Sequence, residues 1–140
     1  MTNREYMRRA YEIDRRLKAR RRRLEYLRSH MEAVSPQVTG IPKGSPGVTS
    51  VMEEQAVRIL DLELAIRKDE SDLAAARREI EEAIDAIGNE TLSTILQMRY
   101  LDYMRWEDIM ASLDYCRSYL YELHGRALRA VRQRNIEKRT

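Results

Sequence analysis

Apart from its charged groups, this 140-residue chain holds few residues able to do chemistry. The one cysteine, Cys116, and the two histidines, His30 and His124, stand apart. They form neither a CxxC nor an HxxxH pair, so no structural zinc site is expected, and a single cysteine excludes an internal disulfide. No local motif sets a base beside Cys116, which reads as a small turn residue and not as a nucleophile or redox sensor. Gly40, Gly44 and Gly47 do not have the spacing of a phosphate-binding loop, and no Gly-Lys-Ser/Thr ending follows them. The carboxylates of residues 53–85 recur at helical spacing and have a basic segment to pair with, which suits a salt-bridged face better than an acid–base pair. With no nucleophile–base set, the chain reads as a non-enzyme with no catalytic residue, no cofactor and no metal.

What remains is charge. The chain has 26 Lys and Arg against 23 Asp and Glu, a formal net charge of +3, but the signs are segregated. Residues 1–34 hold eleven basic and five acidic side chains, residues 51–89 five and eleven, and residues 115–140 seven and two. Two basic stretches are thus candidates for a partner-binding surface. The run Lys18-Ala19-Arg20-Arg21-Arg22-Arg23 is of a kind that meets nucleic acid through counterion release. Because the acidic segment offers partners to several of these arginines, a structural or solvated face is preferred, with Arg22 the most available to a phosphate.

Helices must position these charges. Hydrophobic residues make up 43% and aromatics 6%, with eight Tyr, one Trp and no Phe, so a core is built from Leu, Ile, Met, Ala and Tyr, a long-helix composition. No apolar stretch approaches the roughly 20 residues that cross a bilayer, and the Arg-rich N-terminus lacks the apolar centre of a secretory signal. No membrane contact and a cytoplasmic location are expected.

Tyr6, Ala10, Ile13, Leu17, Arg20, Leu24, Leu27, Met31 and Val34 alternate steps of four and three, the period of a coiled-coil seam. In a second helix Met52, Ile59, Ile66, Leu73, Ile80 and Ile87 recur every seven residues, with Gln55, Leu62, Asp69, Ala76 and Ala83 at the other seam position. Between them, residues 35–50 contain all three prolines and three of the five glycines, which predicts a loop. Its stretch 38–47 reads as a mobile connector in preference to an ordered contact tip. An antiparallel pairing in which opposed residue numbers add to 86 matches the seams throughout and centres on the loop. It makes Arg20 and Asp69 diagonal neighbours that pin the register, and sets Arg16 against Asp72, Arg9 against Glu79 and Arg21 against Glu63 or Glu70. The hairpin's exposed flanks could also join copies into a homo-oligomer.

After Gly88-Asn89, a helix stop, a helix is predicted over 90–101 with Leu92, Ile95, Leu96 and Leu101 towards one side, broken by Asp102-Tyr103-Met104. A short amphipathic helix follows, with Trp106, Ile109, Met110 and Leu113 on one face and the small Ala111 where two helices approach. After the turn Asp114-Tyr115-Cys116, a last helix from near Arg117 directs Leu120, Leu123, Ala127, Leu128 and Val131 inward. A short helix, a three-residue turn and a longer basic helix form a helix-turn-helix pattern, whose second helix enters the major groove. Periodicity alone also fits a bundle that never touches DNA.

The strings Leu96-Gln97-Met98-Arg99-Tyr100-Leu101, Trp106-Glu107-Asp108-Ile109, Leu113-Asp114-Tyr115 and Leu120-Tyr121-Glu122-Leu123-His124-Gly125-Arg126-Ala127-Leu128 resemble region 4 of bacterial sigma factors. More specifically, they are similar to the small region-4-like regulators of phages and prophages of Gram-positive bacteria, of the late-gene activator and autolysin-regulator type. The close match covers about residues 92–131; the helical N-terminal region and its Pro-Lys-Gly-Ser-Pro loop also look like the phage group. The resemblance implies transcriptional control at promoter double-stranded DNA in the bacterial host cytoplasm, with host RNA polymerase as a candidate partner. It implies base contacts by Arg117, Ser118, Tyr119, Tyr121 and Glu122, and phosphate contacts by Arg105, Arg126 and Arg129. Arg117 suits guanine, Glu122 suits cytosine N4, and the tyrosines suit thymine methyls or phosphates unless they pack within the molecule. His124 reads as packed or capping in preference to a phosphate contact. Asp114 stands where Gly is usual in the turn, Cys116 replaces the usual N-cap Ser, and Tyr119 and Tyr121 replace frequent basic residues, so a different operator is expected.

The expected architecture is all-α: a long antiparallel helical hairpin, or coiled coil, over 1–89 and a sigma-region-4-like helix-turn-helix domain over 90–140. Besides the regulator, two other functions fit. One is a protein-interaction adaptor working through the hairpin. The other is a small terminase-like DNA-packaging subunit, disfavoured because that class places its DNA-binding module first.

Overall fold

The computed structural model describes residues 1–34 and 46–134, and every regular element among them is helical. Helix α1 spans Asn3–Val34, α2 Pro46–Asp85, α3 Glu90–Leu96, α4 Trp106–Leu113 and α5 Arg117–Ala130; a π-helical turn, Gln97–Leu101, extends α3. The loop expected over 35–50 is shorter at its far side, because α2 already starts at Pro46. Proline fits a first helical turn, where its missing N–H has no intrahelical partner to lose. Residues 35–45, and with them most of the contact-tip reading, lie outside the described residues.

The chain divides into two compact units, one of Met1–Ile13 with the chain from Asp72 onward, the other Asp14–Ser71. In the second unit α1 and α2 run antiparallel: Arg16 and Arg20 meet Asp69, while Arg28, further along α1, meets Glu63, earlier in α2. The described seam positions are buried or half-buried throughout, with Leu17, Ile66 and Asp69 the deepest. Arg20 Nη1 donates to Asp69 Oδ2 at 2.5 Å, the contact that the register requires. Arg21 reaches Glu70 at 3.3 Å. Arg16 does not take Asp72 as expected; it bonds Asp69 at 3.0 Å. A carboxylate buried in an apolar seam needs more than one donor to replace its lost water, which draws both arginines to it. Burial alone would raise the Asp69 pKa, but the hydrogen bonds and charges of Arg16 and Arg20 outweigh it and hold the carboxyl below its ordinary 3.8.

The first unit shows why the chain does not part at residue 89/90. Thr2 and Glu5 form a reciprocal capping box at the start of α1, with Thr2 N donating to Glu5 Oε2 and Glu5 N to Thr2 Oγ1. Beside it, Asn3 Nδ2 donates to the carbonyls of Leu128 at 2.7 Å and Val131 at 3.1 Å, satisfying acceptors at the end of α5. Tyr6, Met7 and Ala10 of α1 share one core with Ala76, Ile80 and Ile84 of α2 and with Leu96, Leu101, Ala127, Leu128 and Val131. The first turns of α1 and the end of α2 therefore fold with the C-terminal helices. A second core joins Ile95, Ile109, Leu120 and Leu123, flanked by Trp106, Met110 and Leu113.

The π turn explains how one segment serves this unit on successive turns. In it the Asp102 N–H donates to the Gln97 carbonyl at 3.0 Å, five residues back. Wider turns bring residues five apart onto one face, and Leu96 and Leu101 are both buried in the first core. The segment predicted as a helix over 90–101 is therefore α-helical only to Leu96.

Candidate nucleic-acid interface

The surface opens from the connection between α4 and α5. Asp114 ends α4 at φ 56°, ψ 44°, a left-handed conformation that Asp tolerates better than most residues. Tyr115 N then bonds back to the Met110 carbonyl at 3.2 Å. Cys116 is the N-cap of α5, but its side chain makes no capping bond. Its exposed thiol lies 3.5 Å from Ser118 Oγ; that hydroxyl first, and then the Tyr119 N–H, pulls its pKa below the ordinary value. Ala111, expected where two helices approach, is exposed. The α4 face turned to the core is instead built on Ile109, with Met110 and Leu113 half-buried beside it.

Leu120, Leu123, His124, Ala127 and Leu128 of α5 are buried, which turns most of the remaining residues outward. Arg117, Ser118, Tyr119, Tyr121 and Glu122 are all exposed. The two tyrosines also touch neighbouring rings: Tyr119 stands edge-on to Tyr115 at 5.0 Å and Tyr121 edge-on to Trp106 at 5.3 Å. Both remain more than two-fifths exposed, so packing within the molecule leaves them a free edge. Glu122 pairs with Arg126 one turn on at 3.1 Å. Exposed pairs of this spacing are worth only about 0.3–0.5 kcal/mol, so both groups can be redirected to a ligand at small cost. Arg105 reaches Asp108 at 3.5 Å, and both side chains are more than half exposed. Arg129 is exposed on the last turn of α5. In the other basic run, Lys18 pairs with Asp14, Arg20 with Asp69 and Arg21 with Glu70, which leaves Arg22 and Arg23 exposed without an ion pair among the described residues.

His124 lies inward, 5% exposed, with Nε2 2.8 Å from the Tyr100 hydroxyl and its ring edge-on to Trp106 at 4.7 Å. Burial, and then the charges of Arg4 and Arg99, push its pKa down to about 4. Burial likewise raises the Tyr100 pKa against the opposing pull of Arg4 and Arg99. These groups edge a cleft of about 470 Å³, to which Arg4 and Arg8 come from α1, Arg99 and Tyr100 from the π turn, Trp106 from α4, and Tyr121, His124 and Gly125 from α5. Sequence reasoning did not assign Arg4, Arg8 or Arg99 to the site. Arg99 stands in the Arg-Tyr-Leu string, a usable signal, whereas nothing local ties Arg4 and Arg8 to α5. Among the described residues no cluster of His, Cys, Asp and Glu could hold a metal ion, and no helix is long and apolar enough to cross a membrane.

The molecule is thus an all-helical protein that joins an antiparallel helix pair to a small helical unit with an exposed, polar α5 face. It belongs to the family described as "Protein of unknown function (DUF1492)", whose model matches residues 43–132. No curated protein and no solved structure matches the chain.

Proposed function

We propose that the protein is a sequence-specific DNA-binding transcriptional regulator of the phage or prophage region-4-like kind, acting at promoter double-stranded DNA in the bacterial host cytoplasm, with host RNA polymerase as a further partner. In this reading α4, the three-residue connection and α5 form a helix-turn-helix, and the helix pair serves as an oligomerisation or polymerase-contacting arm. The observation that carries it is the outward set Arg117, Ser118, Tyr119, Tyr121 and Glu122 on the first turns of α5, backed by buried Leu120 and Leu123. This is where a recognition helix presents its base-reading residues. The sequence likeness to region 4 supports the same assignment. Arg105, Arg126 and Arg129, all exposed, suit phosphate contacts that position the helix without reading bases.

A second reading, an interaction adaptor working through the hairpin, is favoured by one observation: Val57, Leu60 and Leu64 of α2 are each more than half exposed. Selection of binding sites from a random duplex pool at near-physiological salt separates the two. The regulator reading expects a defined motif, lost when Arg117→Ala and Glu122→Ala are combined. Recovery of no motif, or of the same motif by the double variant, moves the function to the hairpin.

A further inference from the structure

The exposed row of α5 borders a second cationic surface within the same unit. Arg4 and Arg8, one helical turn apart on α1, line the 470 Å³ cleft together with Arg99 and Tyr121. Tyr121 thus belongs to both surfaces. An adjoining cleft of about 190 Å³ shares Arg8 and Arg99 and extends to Arg105. Among the described residues no Asp or Glu lines either cleft, and neither Arg4 nor Arg8 forms an ion pair. This contrasts with Arg9, on the same helix, which is bound to Glu79 at 2.7 Å. Arg99 is fixed in place, donating to the Met104 carbonyl at 2.9 Å with its guanidinium 4.7 Å from the Trp106 ring centre.

Three guanidiniums that are always charged, converge on an open cleft and have no carboxylate lining it among the described residues leave a positive field to be met by an anion. Guanidinium forks match the oxygens of a phosphate better than any other common biological anion except a carboxylate. Position decides between these, since the cleft begins at a side chain of the helix that would read DNA. We propose that Arg4, Arg8 and Arg99 form a phosphate-binding site and, resting on the regulator reading, that its occupant is a backbone phosphate of the duplex contacted by α5. Arg105 then continues the track along the same strand. The first turns of α1 become part of the DNA-binding surface, and the neutral, inward His124 adds a wall to the cleft without adding charge.

The site fixes position, not sequence, so its loss should weaken all duplexes alike. The test compares wild type with Arg4→Gln/Arg8→Gln, and with Arg22→Gln/Arg23→Gln, which removes the same charge from exposed, unpaired positions elsewhere on α1. Thermal melts establish that the variants are folded. The Arg4/Arg8 variant is expected to lose about tenfold or more in affinity for operator and non-operator duplex alike. It should select an unchanged motif, and the slope of log K against log salt should shrink by about 1–2, as one or two phosphate contacts are lost. The Arg22/Arg23 variant should match wild type. Equal losses in both variants reduce the effect to net charge and overturn the proposal, as does a wild-type slope in the Arg4/Arg8 variant. If wild type binds no duplex, the regulator reading fails separately, and inorganic phosphate is titrated against the fluorescence of Trp106, the only tryptophan. A saturable change in wild type that is absent from the Arg4/Arg8 variant keeps the cleft as a site for free phosphate. No change removes it.

Discussion

His124 shows how a single side chain can carry a pH dependence for its whole unit. The ring is buried against Tyr100 and Trp106 with its pKa at about 4, well below the ordinary 6.5. The folded state therefore holds the neutral ring, whereas the unfolded chain takes a proton near its ordinary value. The sign follows from linkage: stability is full above about pH 6.5 and declines as pH falls towards 4, by on the order of 3 kcal/mol at most. We expect the melting temperature of wild type to fall between pH 7 and pH 5, and that of His124→Gln to fall less over the same interval, read by circular dichroism. Parallel declines would assign the effect to other groups. The inward place of this histidine was legible in the sequence, because Leu120, Leu123 and Ala127 mark the same face of α5. Arg20 and Asp69 were legible for a similar reason, as polar breaks at facing positions of two apolar seams. The second donor to Asp69 was not, since seam arithmetic opposes positions but does not tell how far a long arginine will bend towards a desolvated carboxylate.

At the scale of elements, the α4–α5 connection is unoptimised in stability. Asp114 holds φ 56° without the relief a glycine would give, and Cys116 caps α5 without a side-chain hydrogen bond. Replacing Asp114 by Gly removes a left-handed cost of about 1 kcal/mol, offset in part by the greater freedom of glycine in the unfolded chain. Cys116→Ser supplies the missing acceptor, worth about 1 kcal/mol. We expect each substitution to raise the midpoint of urea unfolding, and the pair to be additive to within about 0.5 kcal/mol if the two act on separate backbone groups. A lower midpoint for Cys116→Ser would mean that its contact with Ser118 matters more than the cap. The helices themselves were readable because periods of 3.5 and 3.6 are imposed by burial along one face. The π turn was not: Leu96 and Leu101 were expected on one side of a regular helix, but a step of 100° per residue does not bring residues five apart onto one face, and only the wider turn does. Ala111 was misplaced through its size alone; Ile109 and Leu113 set the angle of α4, and Ala111 falls on the outer side.

At the scale of the molecule, the sequence concealed which parts fold together. Asn3 capping Leu128 and Val131, and Tyr6 Oη accepting from Arg134 N at 3.2 Å, join residues more than 120 positions apart. No local period encodes such pairings, so nothing in the sequence ties Arg4 and Arg8 to α5. The unit Asp14–Ser71 raises a different question, since its helix pair buries one seam and leaves an apolar set outside it. Val57, Leu60 and Leu64 fall at i, i+3 and i+7, one stripe of α2, with exposures of 56%, 56% and 53%. Three contiguous large apolar side chains in water cost about 25 cal/mol for each Å² that a partner could cover. A second copy of the chain is the simplest partner for a regulator, because a dimer reads two half-sites and multiplies the affinity of each. On that reading wild type should sediment above the 16.6 kDa of one chain, in a concentration-dependent way, and Leu60→Glu/Leu64→Glu should return it to the monomer. The variant should bind a single half-site as wild type does and lose its advantage on a paired site. If wild type is already a monomer at tens of micromolar, the stripe does not serve self-association. The arm would then belong to contact with another protein, for which RNA polymerase is the partner to test by co-purification with and without the two glutamates.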